Sequence, residues 1–144
     1  MIKIRVEAEV RPTEDLDKVK KAILNVFEPE KMFVVEEALG KKIIAESSTY
    51  DSLFKLHGLL RRERILDAAR KILKSSVRER IIVFHLHKQA AYRGRLSFIE
   101  GLGESPMGPI TFIIECGNPK ALIDWLTPKT KRGKPLWEIE PPEN

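Results

Sequence analysis

The chain is poor in cysteine and has no long apolar segment, and each shortage excludes a class of protein. Its single cysteine, Cys116, cannot form a disulfide within the chain. No apolar run approaches the roughly 20 residues that cross a bilayer, and the start of the chain, MIKIRVEAEV, lacks the apolar core and cleavage site of a secretion signal. We therefore expect a cytoplasmic protein with no membrane partner.

Amide side chains are also scarce, because the 144 residues include one glutamine and three asparagines while 33% of the residues are charged. This combination is typical of proteins from thermophilic organisms, and we expect a thermophilic source. A hydrophobic content of 42% indicates a folded chain. The length is that of one domain, so we predict a single domain over residues 1–144.

Positive charge is concentrated in the middle of the chain. Residues 55–95 contain twelve Lys and Arg residues against three acidic ones, a net charge of +9, whereas the whole chain carries +5. Such asymmetry favours a polyanionic partner. The alternative is a solvated charged surface that serves stability, because sequence does not reveal which residues share a face.

The hydrophobic pattern predicts the order β-α-β-β-α-α-β-loop-β-α. Two successive helices are expected over residues 53–77, with a break near Arg61, Arg62 and Arg64; one bent helix is the alternative. Residues 80–88 have apolar side chains on both faces, which is typical of a central strand. Residues 88–109 read as a long irregular loop, of which residues 95–99 could extend the sheet, and residues 129–144 as an irregular tail. We predict an α+β fold: a two-layer sandwich of a mixed sheet with helices mainly on one face.

Three features offer weak indications of an enzyme. His85 and His87 point the same way on a strand, a spacing that suits two metal ligands, but no third ligand accompanies them. Cys116 precedes a helix N-terminus, where a thiol can become nucleophilic, yet lone cysteines at strand ends are usually buried hydrophobes. Gly101 and Gly103 lack the third glycine of a dinucleotide fingerprint. We assign no catalytic residue, metal or cofactor.

Basic residues interleaved with aromatic ones give a stronger indication. Such a mixture supplies phosphate contacts together with rings on which bases stack. We predict a non-enzymatic RNA-binding protein, an accessory factor in RNA processing or translation, whose contacts are Arg61, Arg62, Lys88, Tyr92, Arg93, Arg95, Lys131 and Arg132. The alternatives are a protein–protein module, such as a homodimer paired through a sheet face or edge, and a small enzyme built on Cys116 or the two histidines.

Four stretches carry a resemblance to a known family. They are Ile65-Leu-Asp-Ala-Ala-Arg70, Lys88-Gln-Ala-Ala-Tyr92 with Gly94, Ser105-Pro-Met-Gly-Pro-Ile110, and Asp124-Trp-Leu-Thr-Pro128 with Thr130 and Gly133. In these the chain resembles an uncharacterised family of archaeal proteins described as predicted RNA-binding or exosome-associated. The resemblance implies an α+β fold similar to that of the ribosomal protein that binds 5S ribosomal RNA. It carries no known activity.

Overall fold

The computed structural model describes residues 1–100 and 108–142 and confirms an α+β fold. A short 3-10 turn, Tyr50–Leu53, precedes the second helix. Within these residues the elements are β1 (Ile2–Val10), α1 (Leu16–Val26), β2 (Lys31–Glu37), β3 (Gly40–Ser47), α2 (Phe54–Arg62), α3 (Leu66–Ser76), β4 (Val77–Arg78), β5 (Ile81–His87), α4 (Lys88–Tyr92), β6 (Phe98–Ile99), β7 (Pro109–Cys116), α5 (Pro119–Leu126), β8 (Thr130–Lys131) and β9 (Lys134–Pro135).

The main sheet has seven strands in the part of the chain that is described. Their order is β2-β3-β1-β7-β5-β4, with β6 pairing to β5, and each described pairing is antiparallel. The sheet is therefore antiparallel where we expected a mixed one. The reason is that the β2–β3 hairpin returns its second strand beside β1, so that β3 separates the parallel strands β1 and β2. Strand β5 lies inside the sheet, as predicted.

The helices pack on one face of the sheet, also as predicted. Along β1 the even-numbered side chains are buried, whereas the odd-numbered ones, from Lys3 to Glu9, lie on the other side, which we call the open face. At the centre of the core the ring of Phe112 stacks on Phe84 at 4.8 Å and meets Phe27 edge-on at 5.7 Å between centroids. Fully buried phenylalanines of this kind typically contribute about 3–5 kcal/mol to stability.

Asp15 caps α1 by accepting a hydrogen bond from the Asp17 N–H. Local structure differs from the sequence-based expectation at two places. Residues 88–92 form the short helix α4, so the expected loop begins only after it. The tail contains the β8–β9 hairpin. The expected break between α2 and α3 is present, and the Gly101–Gly103 pair lies outside the described residues. No helix in the described ranges is long and apolar enough to span a membrane.

Candidate nucleic-acid interface

The turn after α4 displays two arginines on either side of a glycine. The Gly94 N–H donates to the Ala91 carbonyl at 2.9 Å and the Arg95 N–H donates to the Ala90 carbonyl at 2.9 Å, the bonding pattern of a Schellman motif. The pattern requires a left-handed residue at its centre, and Gly94 has φ +75°. Arg93 and Arg95 are consequently both exposed.

The α2–α3 turn is tied directly to this arginine turn. The Glu63 carboxylate accepts hydrogen bonds from Arg95 Nε at 2.6 Å and from the Leu96 N–H at 3.3 Å. These bonds lower the pKa of Glu63 below its ordinary value, and the bond from Arg95 has the largest effect. Arg62 Nη2 also donates to the turn, at the Gly94 carbonyl. The end of α2 and the turn after α4 thus form one surface.

The C-terminal hairpin presents a second basic turn. Lys131 pairs with Lys134 across the ladder, and the two residues between them, Arg132 and Gly133, have φ +54° and +79°. Two consecutive positive φ values are those of the type I′ turn that suits the twist of a hairpin. Four basic side chains of this segment are exposed: Lys129, Lys131, Arg132 and Lys134.

The α2–α3 turn borders the hairpin across a groove, and therefore lies between the two basic turns. The groove, of about 290 Å³, runs between Arg64 and Ile65 on one side and Thr130, Gly133 and Pro135 on the other. The direct contact is made by α3, where the Asp67 carboxylate accepts from the Thr130 hydroxyl at 2.5 Å. We call the combined region the basic surface, and its members are Arg62, Arg64, Tyr92, Arg93, Arg95, Lys129, Lys131, Arg132 and Lys134.

Arg61 is half-buried and bound by groups of the chain itself. Its Nη1 donates to the Leu126 carbonyl at 2.9 Å, and Nε and Nη2 form a two-bond pair with Glu138 at 2.9 and 2.7 Å. Leu126 precedes the hairpin and Glu138 follows it. The side chain therefore fastens both ends of the hairpin to α2, and each nitrogen of its guanidinium already donates within the chain.

Lys88 lies in the interior, with 4% of its surface exposed. Its Nζ donates to the Glu9 carbonyl at 2.7 Å and to the Glu14 carboxylate at 3.1 Å. Burial lowers the pKa of the lysine, and Glu14 opposes that shift. The contacts join α4 to β1 and to the start of α1, so we leave Lys88, like Arg61, out of the basic surface.

Tyr92 occupies the helical side of the basic surface and is half-buried. Its backbone carbonyl accepts from Asn25 Nδ2 at 3.1 Å, which fixes the end of α4 on α1. Lys21 Nζ lies 5.2 Å from the centre of the ring. A shallow groove of about 470 Å³ continues from the ring past Lys18 and Arg93. A ring held beside cations in this way can receive an unstacked base.

Sequence reasoning placed no site residue on α3 and left Arg64 out of the predicted contacts. Lys71 and Lys74, three residues apart, line a groove of about 620 Å³ that they share with Lys129. Helical spacing would have put these two lysines on one face. The sequence could not predict that the hairpin packs beside these lysines, because the contact between the hairpin and α3 joins residues 63 positions apart.

Two of the residues that indicated an enzyme, His85 and Cys116, are held within the sheet. His85 Nδ1 lies 2.9 Å from the Thr111 hydroxyl on the open face, and burial lowers the pKa of the imidazole. Cys116 is buried, and burial raises the pKa of its thiol rather than lowering it. Within residues 1–100 and 108–142, no three His, Cys, Asp or Glu side chains are grouped as metal ligands.

Comparison with known proteins first gives a class of protein. A family model described as RNA binding matches residues 3–116, which include the sheet, α1 to α4 and the arginine turn. The match ends before α5 and the C-terminal hairpin. The class therefore rests on residues 3–116 of the α+β fold.

The relatives then identify the particular family. The chain is 52% identical over 144 residues to a UPF0201 protein of Aeropyrum pernix, with 99% of this chain and 95% of that protein covered. It is 48% identical to a UPF0201 protein of Metallosphaera sedula over the full length of both. The crystal structure of the UPF0201 protein of Methanococcus jannaschii has a TM-score of 0.82 at 34% identity and covers 93% of this chain and 98% of that one. The chain belongs to the UPF0201 family, and its relatives are archaeal.

Proposed function

We propose that the chain is a non-enzymatic RNA-binding protein of the cytoplasm, an accessory factor in RNA processing or translation, that holds RNA on the basic surface. The observation that carries the proposal is the position of the α2–α3 turn. It contacts the arginine turn through Glu63 and borders the hairpin through Arg64, so two basic loops distant in sequence adjoin one another.

The chemistry of the basic surface suits a phosphate backbone. Arginine forks bind phosphate with two parallel hydrogen bonds, and Arg62, Arg64, Arg93 and Arg132 are exposed. Two acidic side chains that border it are occupied, since Glu63 accepts from Arg95 and Asp67 accepts from Thr130. The family model described as RNA binding supports the same assignment.

Tyr92 makes single-stranded or looped RNA a better ligand than a duplex. Sequence-specific recognition of RNA targets unpaired bases, which stack on aromatic rings. The half-buried ring of Tyr92, next to Lys21 and Arg93, is the stacking position that the basic surface offers.

The test measures binding of a single-stranded RNA, a hairpin RNA with a wide loop and a duplex DNA to wild type, Tyr92→Phe and Tyr92→Ala. We expect binding of both RNAs to exceed that of the duplex. We expect Tyr92→Phe to bind RNA like wild type, and Tyr92→Ala to lose about 1–3 kcal/mol of RNA affinity through the missing stack. Thermal unfolding of each variant controls for damage to the α1–α4 contact. Equal binding of duplex and RNA, or no binding at low salt, would overturn the proposal.

A further inference from the structure

The two edges of the sheet are built differently. One edge is formed by β4 and β6, each of two residues, and β4 carries the exposed Arg78. Short strands and charges are the means by which proteins prevent edge-to-edge pairing. The other edge is β2, with seven residues and, among the residues described, a ladder on its β3 side alone. Within the described residues, the edge of β4 and β6 is protected by short strands, whereas β2 is long.

The unprotected edge is apolar at its centre. Phe33, Val34 and Val35 are three consecutive residues with 42%, 36% and 38% of their surface exposed. Phe33 and Val35 lie on the open face and Val34 lies on the helical side. The strand contains neither proline nor glycine. A long, regular and apolar edge is a template for another strand.

We propose that β2 pairs with β2 of a second copy of this chain, antiparallel and across a two-fold axis at Val34. A two-fold contact uses the same patch on both partners, so the patch must complement itself. The sequence of β2, KMFVVEE, begins with a cation and ends with anions on either side of an apolar centre. Reversed against itself, this pattern sets opposite charges face to face.

The register follows from the numbering. With Val34 opposite Val34 of the second copy, Lys31 is opposite Glu37 and Phe33 is opposite Val35, each pair occurring twice. Opposite residues of an antiparallel pair point to the same face and interact directly. A shift of two residues would place Lys31 opposite Val35, or Phe33 opposite Glu37. The centred register pairs both Lys31 with Glu37 and Phe33 with Val35 on the open face, and it places Met32 opposite Glu36 on the helical side.

Charge also distinguishes a second copy from nucleic acid at this edge. Strand β2 has one basic and two acidic residues. Both acidic residues contact lysines of β3: Glu36 lies 3.9 Å from Lys41, and Glu37 lies 3.8 Å from Lys42. A polyanion would meet these carboxylates, whereas a second copy brings Lys31 to Glu37. None of the residues of the basic surface belongs to β2, so this pairing can be tested without RNA.

The experiment measures molar mass by light scattering and sedimentation equilibrium over a dilution series. We expect wild type to reach twice the chain mass of 16.5 kDa as concentration rises. The variants Lys31→Glu and Glu37→Lys each set like charges opposite each other twice. We expect either one alone to dimerise about tenfold more weakly than wild type.

Mixing the two variants, Lys31→Glu and Glu37→Lys, provides the decisive measurement. In a heterodimer, Glu at position 31 of one chain faces Lys at position 37 of the other, and Lys31 of the second chain faces Glu37 of the first. We expect the mixture to regain wild-type dimerisation. A loss of the Glu37–Lys42 contact within one chain would not be repaired by mixing. This measurement therefore separates pairing between copies from damage within a copy.

A third variant covers the case in which a charge reversal disturbs folding. Val34→Lys leaves both charge pairs unchanged and places two ammonium groups opposite each other at the axis, so a folded monomer is expected. Circular dichroism and thermal unfolding verify the fold of each variant. A wild-type chain that stays monomeric at every concentration, or a dimer that none of the three substitutions weakens, would overturn the proposal.

Discussion

Neighbouring arginines at the end of α2 have opposite roles, because a helix turns by about 100° from one residue to the next. Arg61 faces α5 and the tail, where it donates to the carbonyls of Trp125 and Leu126 and to Glu138. Arg62 faces solvent and reaches the Gly94 carbonyl. The two residues are of the same type and adjacent in sequence. Only their hydrogen-bond partners therefore distinguish Arg61, which fastens the hairpin, from Arg62, which is a candidate RNA contact.

This difference gives a prediction on stability. Replacing Arg61 by methionine keeps most of the packing but leaves the Trp125 and Leu126 carbonyls and Glu138 without their donor. We expect Arg61→Met to lower the free energy of unfolding by about 2–4 kcal/mol. We expect Arg62→Met, which removes one exposed hydrogen bond, to lower it by about 1 kcal/mol or less. Equilibrium unfolding in guanidinium chloride measures both, and equal losses would contradict the assignment.

Among the elements, α4 and its Schellman motif decide where the arginine turn points. The helix has five residues, too few to hold its position through its own hydrogen bonds. Asn25 donates to the Ala91 and Tyr92 carbonyls at its end, and Lys88 anchors its start on Glu9 and Glu14. The element is therefore positioned by tertiary contacts, and it directs Arg93 and Arg95 outward.

Two glycines provide a matched test of this element. A Cβ at Gly94 or at Gly58 would meet no atom within 4 Å, but Gly94 has φ +75° whereas Gly58 lies inside α2. We expect Gly94→Ala to cost about 1–2 kcal/mol through left-handed strain, and to weaken RNA binding by displacing the arginines. We expect Gly58→Ala to stabilise the helix by about 0.5–1 kcal/mol. Thermal and denaturant unfolding check the two signs, and a stabilising Gly94→Ala would refute the role of the turn.

The same elements show what the sequence could and could not predict. Strand β1 and helices α1, α2 and α3 were predictable because each has a sustained hydrophobic period. Helix α4 spans little more than one turn, and the β8–β9 hairpin has two residues per strand, so neither has a period to detect. The internal hydrogen bonds of Arg61 and Lys88 could not be recognised, because their partners lie up to 77 and 79 positions away.

At the scale of the whole molecule, folding redistributes the charge of residues 55–95. Arg61, Arg70 and Lys88 turn inward to bind carbonyls and carboxylates, with Arg70 donating to Thr127 and Asp124. Arg62, Arg64, Arg93 and Arg95 remain at the surface and are joined by the hairpin, which lies outside that stretch. The basic surface therefore keeps most of the contacts predicted from the sequence, but without Arg61 and Lys88, whose donors are used within the chain.

The salt dependence of binding tests whether the two basic turns act on one RNA. Each phosphate neutralised on a single strand contributes about −0.7 to the slope of log K against log salt. We expect Arg93→Gln and Arg132→Gln, which lie in different turns, each to reduce the slope by about 0.7, and the double variant to reduce it by about 1.4. A control variant, Lys3→Gln with Lys41→Gln, removes the same charge elsewhere on the sheet and should leave the slope nearly unchanged. A slope that responds to Arg93 but not to Arg132 would confine the site to the helical side. A slope that responds equally to the control would mean that the RNA senses only net charge.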